Sequence, residues 1–533
     1  MTKVSVNVDS MYKDALRLRF EGKLVEATET FQAVLAIAPD HLPTHIELGN
    51  TLYSRALMND AKERYLAAIR LDPKLAVAHN NLGNIFQEQG RIDEAIESYR
   101  RALELDPGSA MAYSNLLRCL NFHPGFDNEH LFQAHKNFDT LFGKFRYPEV
   151  AANSNIRNQG KLLNIGYVSP DLGNHSVAYF VTAVFPNHDR TRFKVFCYSD
   201  REKEDETTER IKKGVDVWRK TACMNDDSLY NLIRKDAIDI LVDLTGHTAR
   251  NRLPVFARKP APVQVTWLGY PNTTGLSAID YRIVDEITDP SGVADRYHSE
   301  TLVRLPNGFL CFDPPVNAPA VTALPQLRNG FVTFGCFNAL AKVTDEAIAL
   351  WSKIIFRVPG SRILFKNKCL FDESTRNSLL GRFEAHGISN ERVMMTPYTV
   401  STEEHLACYD HLDISLDTFP YNGTTTTCES LWMGVPVLGL LGNRHASRVT
   451  ASILTRLGLD SLVGKDENKF VEIAVHLAGQ PVLLEILRNG LRQRMHKSSL
   501  CNHFNFLIEM ESSFREMCNK ISSESQAAEK ESE

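Results

Sequence analysis

The stretch Ile414-Ser415-Leu416-Asp417-Thr418-Phe419-Pro420-Tyr421-Asn422-Gly423-Thr424-Thr425-Thr426-Thr427-Cys428-Glu429-Ser430-Leu431-Trp432-Met433-Gly434-Val435-Pro436 reads as strand, polar loop, helix. The apolar run 414–416 is the strand, and Gly434-Val435-Pro436 closes the helix. A helix's first turn has free backbone N–H groups and partial positive charge, so hydroxyls beside it make a cradle for a diphosphate. Glu429, one turn inside, can accept hydrogen bonds from a ribose diol. One capping Thr would be ordinary. Four in a row exceed a cap's needs, and Thr is a mediocre helix former.

The same grammar extends outward on both sides. Strands are expected at 331–334, 362–366, 392–395 and 435–440, with the loop Gly335-Cys336-Phe337-Asn338-Ala339-Leu340-Ala341-Lys342 after the first. Earlier, strands are expected at 163–168, 193–198, 238–244 and 263–267. Short apolar runs alternating with helical ones describe a parallel sheet covered by helices. Loops at the carboxyl ends of such strands face the ligand crevice. Here these are Ser169 to Ser176 with His175, Thr245 to Thr248 with His247, and Gly269 to Gly275 with Thr274. Asp243, at a strand end, reads as a local hydrogen-bond acceptor.

The first 120 residues repeat every 34. Pro39, Pro73 and Pro107 mark the period, as do Ala27, Ala61 and Ala95, then Phe31, Tyr65 and Tyr99. This is the tetratricopeptide period. Small residues let antiparallel helices approach, aromatics fill between them, and each Pro ends a second helix. The array serves either as a concave surface for protein partners or as a structural cap on the α/β part of the chain.

The fold class is therefore an α-solenoid followed by two Rossmann-like α/β domains. We divide the chain into repeats at 1–120, a helical linker at 121–160, a first α/β domain at 161–312, a Pro-rich linker at 313–329, a second α/β domain with returning helices at 330–519, and a disordered tail at 520–533. A net charge of -5 gives no electrostatic case for nucleic acid or anionic membrane. No window reaches the ~18 to 20 consecutive apolar residues of a membrane span, and residues 1–10 lack signal-peptide order. A cytosolic or nuclear protein is expected. The ten cysteines include no C-x-x-C pair, so reduced thiols are the default.

The blocks GYVSPDLGNHSVAYF, VDLTGHTARN, PAPVQVTWLGYPNTTG, VTFGCFNALAKV and SLDTFPYNGTTTTCESLWMGVP, behind tetratricopeptide repeats, resemble the O-GlcNAc transferase family, and within it the SPINDLY branch. The resemblance covers residues 10 to about 519. It implies a glycosyltransferase B fold that moves a sugar from a nucleotide diphosphate to Ser or Thr of intracellular proteins, inverting and without metal or other cofactor. The sequence agrees in lacking a D-x-D element, which metal-dependent transferases use to hold Mg²⁺ or Mn²⁺.

The resemblance further implies that Lys342 sits on the donor diphosphate, stabilising charge on the leaving group. Asn338, His405, Thr425, Thr426 and Glu429 match donor-binding positions. His175 matches a cleft histidine that positions the acceptor or takes its proton, and the base remains open between such roles; His247 and Thr274 are further cleft candidates. The cradle NGTTTTCES departs from the animal branch, which has a histidine before two threonines and an Asp at the Glu429 position. Leu406-Ala407-Cys408 lacks that branch's uracil-side arginine, and Pro314 to Pro325 bridges the domains with no insertion. These departures fit SPINDLY, whose plant member is known as a protein O-fucosyltransferase. GDP-fucose is thus the favoured donor and UDP-GlcNAc the alternative. An inactive scaffold would predict decay of these residues, and all are present.

Overall fold

The computed structural model describes residues 2–143, 162–396, 398–399 and 401–532. The chain packs as two compact units, each built from two separated segments: Met1–His123 with Phe331–Ser401, and Pro124–Gly330 with Thr402–Glu533.

The first unit begins with seven helices: α1 (Thr2–Phe20), α2 (Leu24–Ile37), α3 (Leu42–Ser54), α4 (Met58–Leu71), α5 (Ala76–Glu88), α6 (Ile92–Leu105) and α7 (Ala110–Leu120). The repeat dictates their packing. Ala27, Ala61 and Ala95 are fully buried at helix approaches. A Cβ on Gly49 would lie 2.5 Å from the Tyr65 ring, and one on Gly83 2.7 Å from the Tyr99 ring. Each ring therefore lies flat on the preceding helix, its hydroxyl donating to Asn50 or Asn84 at 2.8 Å.

The same unit holds three parallel strands, β8 (Thr333–Cys336), β9 (Arg362–Lys366) and β10 (Val393–Thr396), with β9 in the middle. The solenoid closes on this α/β segment. Asn59 N donates to Asp372 Oδ1 at 3.1 Å, and Gln89 Nε2 to Thr375 Oγ1 at 3.2 Å. Gly90, at φ +76°, leaves only 2.8 Å between a Cβ and the Leu340 carbonyl oxygen. The repeats thus serve at least as a structural cap.

The second unit opens with α8 (Asn128–Phe142), part of the linker expected at 121–160; residues 144–160 lie outside the described residues. Seven parallel strands come next: β1 (Leu163–Ser169), β2 (Phe193–Ser199), β3 (Val217–Lys220), β4 (Ile240–Asp243), β5 (Val263–Trp267), β6 (Tyr281–Val284) and β7 (Thr301–Arg304), in spatial order β3-β2-β1-β4-β5-β6-β7. Strand order reverses between β1 and β4, the position where such sheets bind ligands. The unit also contains β11 (Ile414–Leu416), β12 (Val437–Leu440) and β13 (Val463–Gly464), paired in that order and parallel.

The last helix, His503–Ser532, returns to the seven-stranded sheet as expected. Phe506 stacks on Trp267 at 5.7 Å, and Glu511 bonds His188 Nδ1 and Asp189 N, each at 2.9 Å. One expectation fails: residues 520–532, read as a disordered tail, continue this helix. Their Glu, Ala, Lys and Gln content raises helix propensity.

Candidate functional site

The turn between β11 and the helix Thr425–Trp432 is held by its own side chains. Asp417 Oδ1 accepts from Gly423 N at 2.8 Å while Oδ2 accepts from Thr450 Oγ1, and Asn422 Nδ2 donates to Thr418 O at 2.8 Å. Thr424, the N-cap residue, makes no side-chain capping bond. Thr427 Oγ1 meets Thr450 Oγ1 at 3.2 Å. The threonine run therefore does not cap the helix with its leading hydroxyl, and Thr425 and Thr426 form its first two positions.

Glu429, 4% exposed, is the centre of a three-residue cluster. Its Oε2 accepts from His405 Nε2 at 3.0 Å and from Tyr409 OH at 3.3 Å, and that hydroxyl also lies 3.3 Å from Thr426 O. Among the described residues Oε1 accepts no hydrogen bond. His405 and Tyr409 reach one carboxylate because they are spaced i, i+4 along a helical segment. Tyr409 escaped the sequence reading, and this spacing from His405 was the available signal.

His175 lines a cavity of about 360 Å³ with Tyr179, Arg210, Asp313, Thr402 and Glu403. Its loop, at the carboxyl end of β1, is pinned by Asn174 N donating to Asp205 Oδ2 at 2.9 Å and Thr208 Oγ1 donating to Leu172 O at 3.0 Å. A Cβ on Gly173 would lie 2.3 Å from Arg201 Nε, so that side chain would have to shift to admit one. His175 Nδ1 accepts from Val177 N at 3.3 Å, and Nε2 stands 3.7 Å from Asp171 Oδ1. Burial lowers the histidine's pKa, with Asp171 opposing. With Nδ1 accepting, the neutral ring carries its proton on Nε2, a donor suited to orienting a partner.

Asn338 and Lys342 lie in the other compact unit, in the loop leaving β8. Asn338 is 6% exposed. Lys342 is half-buried at the end of the 3₁₀ turn Leu340–Lys342, the turn seated on Gly90.

The two further cleft candidates are structural. His247 is fully buried, its Nε2 bonded to Thr274 O at 2.8 Å and its ring edge-on to Phe138 at 4.8 Å and Tyr270 at 5.3 Å. Burial pushes its pKa well below the usual value. Thr274 is also fully buried; its N donates to Glu300 Oε1 at 2.7 Å and its hydroxyl donates to the same oxygen. Their loops turn inward beneath α8, so neither side chain faces a crevice. Asp243 is the expected local acceptor, taking bonds from Thr245 N, Gly246 N and Thr266 Oγ1 at 3.0, 2.9 and 2.8 Å. Burial pushes its pKa up to about 6. Among the described residues, no three His, Cys, Asp or Glu side chains are grouped to hold a metal ion.

Residues 143–315 and 316–510 match the family model described as Glycosyl transferase family 41, and residues 76–109 match the Tetratricopeptide repeat model. The chain is 44% identical over 401 residues to "Probable UDP-N-acetylglucosamine--peptide N-acetylglucosaminyltransferase SPINDLY" of Arabidopsis thaliana, covering 74% of this chain and 43% of that protein. It is 31% identical over 377 residues to the Arabidopsis protein of the same description ending SEC, covering 68% and 38%. The chain thus spans less than half the length of these plant relatives. Among solved structures it is similar to a lysine-to-methionine mutant of the Thermobaculum terrenum O-GlcNAc transferase, with TM-score 0.93 and 34% identity over 98% of this chain and 99% of that one.

Proposed function

The chain belongs to glycosyl transferase family 41, and on that premise we propose that it is a protein O-glycosyltransferase acting on Ser or Thr of protein acceptors with a nucleotide diphosphate sugar as donor. The observation that carries this is the threonine-led helix with Glu429 clamped by His405 and Tyr409. The helix N-terminus and the hydroxyls of Thr425 and Thr426 suit a diphosphate. Glu429 Oε1 suits a ribose diol.

In the reaction the acceptor hydroxyl oxygen bonds to the anomeric carbon as the bond from that carbon to the diphosphate oxygen breaks, with inversion. The hydroxyl proton leaves to a base or to the departing phosphate. Lys342 supplies positive charge to the leaving diphosphate, so no metal or other cofactor is required. His175 orients the acceptor through Nε2–H, and the solenoid offers it a docking surface in the cytosol or nucleus.

GDP-fucose is the donor favoured by Glu429 and by the absence of an arginine after His405. A second reading, UDP-N-acetylglucosamine, is supported by the relatives' names. Thermal shift with GDP, UDP, GDP-fucose and UDP-GlcNAc, followed by intact mass of an acceptor protein, tests both. A deoxyhexose increment supports the first reading and an N-acetylhexosamine increment the second. Neither increment, with no nucleotide shift, would reject transfer.

A further inference from the structure

A second cavity, of about 220 Å³, shares no lining residue with the one beside His175. One side is apolar, formed by Leu131, Pro290, Val293 and the Tyr297 ring. The other is an unusual polar arrangement. His445 Nδ1 donates to Asp289 Oδ2 at 2.6 Å, but Asp289 Oδ1 and His298 Nε2, 3.6 Å apart, have no hydrogen-bond partner among the described residues. Their side chains are 1% and 6% exposed.

The remaining ring nitrogen defines the chemistry. His298 Nδ1 lies 3.1 Å from the Ala294 carbonyl oxygen, which can only accept, so Nδ1 carries the proton. Burial lowers the ring's pKa, and in the neutral ring Nε2 is the acceptor. His445, which donates to the carboxylate's other oxygen, outweighs burial together with the Arg282 charge and holds Asp289 well below the usual carboxylate range. Two acceptors thus line the cavity with no described residue donating to them, an arrangement that costs free energy unless something donates to both. A water occupies ~30 Å³ of liquid, so this space exceeds one bridging water. It also falls below the ~300–1,000 Å³ of drug-sized ligand sites.

We propose that this cavity binds a free monosaccharide-sized polyol, whose adjacent hydroxyls donate to Asp289 Oδ1 and His298 Nε2 while the apolar face of its ring lies on the Tyr297 and Val293 side. A vicinal diol supplies two donors at the spacing that two acceptors 3.6 Å apart require. The sugar ring's polar edge and apolar face match the two sides of the cavity. This site is separate from the transfer reaction and does not rest on it.

Saturation-transfer NMR on the full chain, with L-fucose and N-acetylglucosamine at millimolar concentration and saturating GDP and UDP present, tests the assignment. Val293→Trp, at a 54% exposed position on the rim, narrows the entrance without disturbing the core. His298→Leu removes one acceptor. Sugar signals that persist with nucleotide, vanish in Val293→Trp and weaken in His298→Leu are expected. No signal on the wild-type chain, displacement by nucleotide, or an undiminished signal in Val293→Trp would overturn the proposal.

Discussion

His405 Nε2 and Glu429 Oε2 meet at 3.0 Å although they stand 24 positions apart in the chain, so Glu429 and the helix preceding β11 are tied together. Glu429→Ala and His405→Ala should each raise the donor KM roughly tenfold, the scale of one charge-assisted hydrogen bond. Because both remove the same bond, the double mutant should be no worse than the weaker-binding single. Additive losses in steady-state kinetics would refute the coupling.

Lys342→Ala should lower kcat by at least about a hundredfold, as loss of a leaving-group cation does. Lys342 is half-buried at the end of a short turn, so the melting temperature should stay near wild type. Unchanged turnover would remove it from the chemistry.

For His247→Ala the pattern should be reversed. The buried ring fills space between Phe138 and Tyr270, so the variant should lose about 2–4 kcal/mol of stability. Its kcat per folded molecule should match wild type. Selective loss of kcat with an unchanged melting curve would restore a catalytic role.

Stability should depend on pH through His135. Burial lowers its pKa to about 4, while Nδ1 bonds Leu131 O at 2.6 Å and Nε2 bonds Tyr270 OH at 2.8 Å. The folded ring stays neutral where the unfolded one takes a proton. Its contribution is therefore present above the unfolded value near 6.5 and is lost as pH falls toward 4, by about 3 kcal/mol. His135→Gln lacks this titration, so the gap between the two proteins in urea denaturation should shrink by that amount from pH 7 to pH 4. Parallel pH curves would contradict the assignment; other titrating groups, Asp243 among them, are common to both proteins.

Gly83→Ala should cost about 1–3 kcal/mol, because the new methyl meets the Tyr99 ring and that ring's hydroxyl is tied to Asn84. Thermal denaturation measures it. A variant as stable as wild type would mean that the ring yields.

The solenoid was legible because its 34-residue spacing writes the packing directly into sequence, Gly83 against Tyr99 included. Strands β1, β2, β4, β5 and β8 to β12 were legible as apolar runs. β6 was not, since Arg282 stands inside it; the guanidinium is 2% exposed and donates to Tyr270 O at 2.7 Å and to Asn272 O. A charge satisfied by distant carbonyls looks from sequence like a surface residue. His247 misled in the opposite sense, because a polar residue in a loop after a strand resembles a site residue until α8 is seen above it. Tyr409 was overlooked because its partner Glu429 lies beyond an intervening strand and turn.

The two-segment build of each unit sets an order of events during synthesis. Gln89 and Gly90 close on residues beyond 331, yet residues 124–330 must first be translated. At ~5–20 residues per second, the finished solenoid waits on the order of 10–40 s for its counterpart. Throughout that interval the face that will cover Leu340 and Thr375 is open to water and to other chains. A ribosome stalled near residue 330 would therefore display a folded array with an unsealed end, a substrate for chaperones.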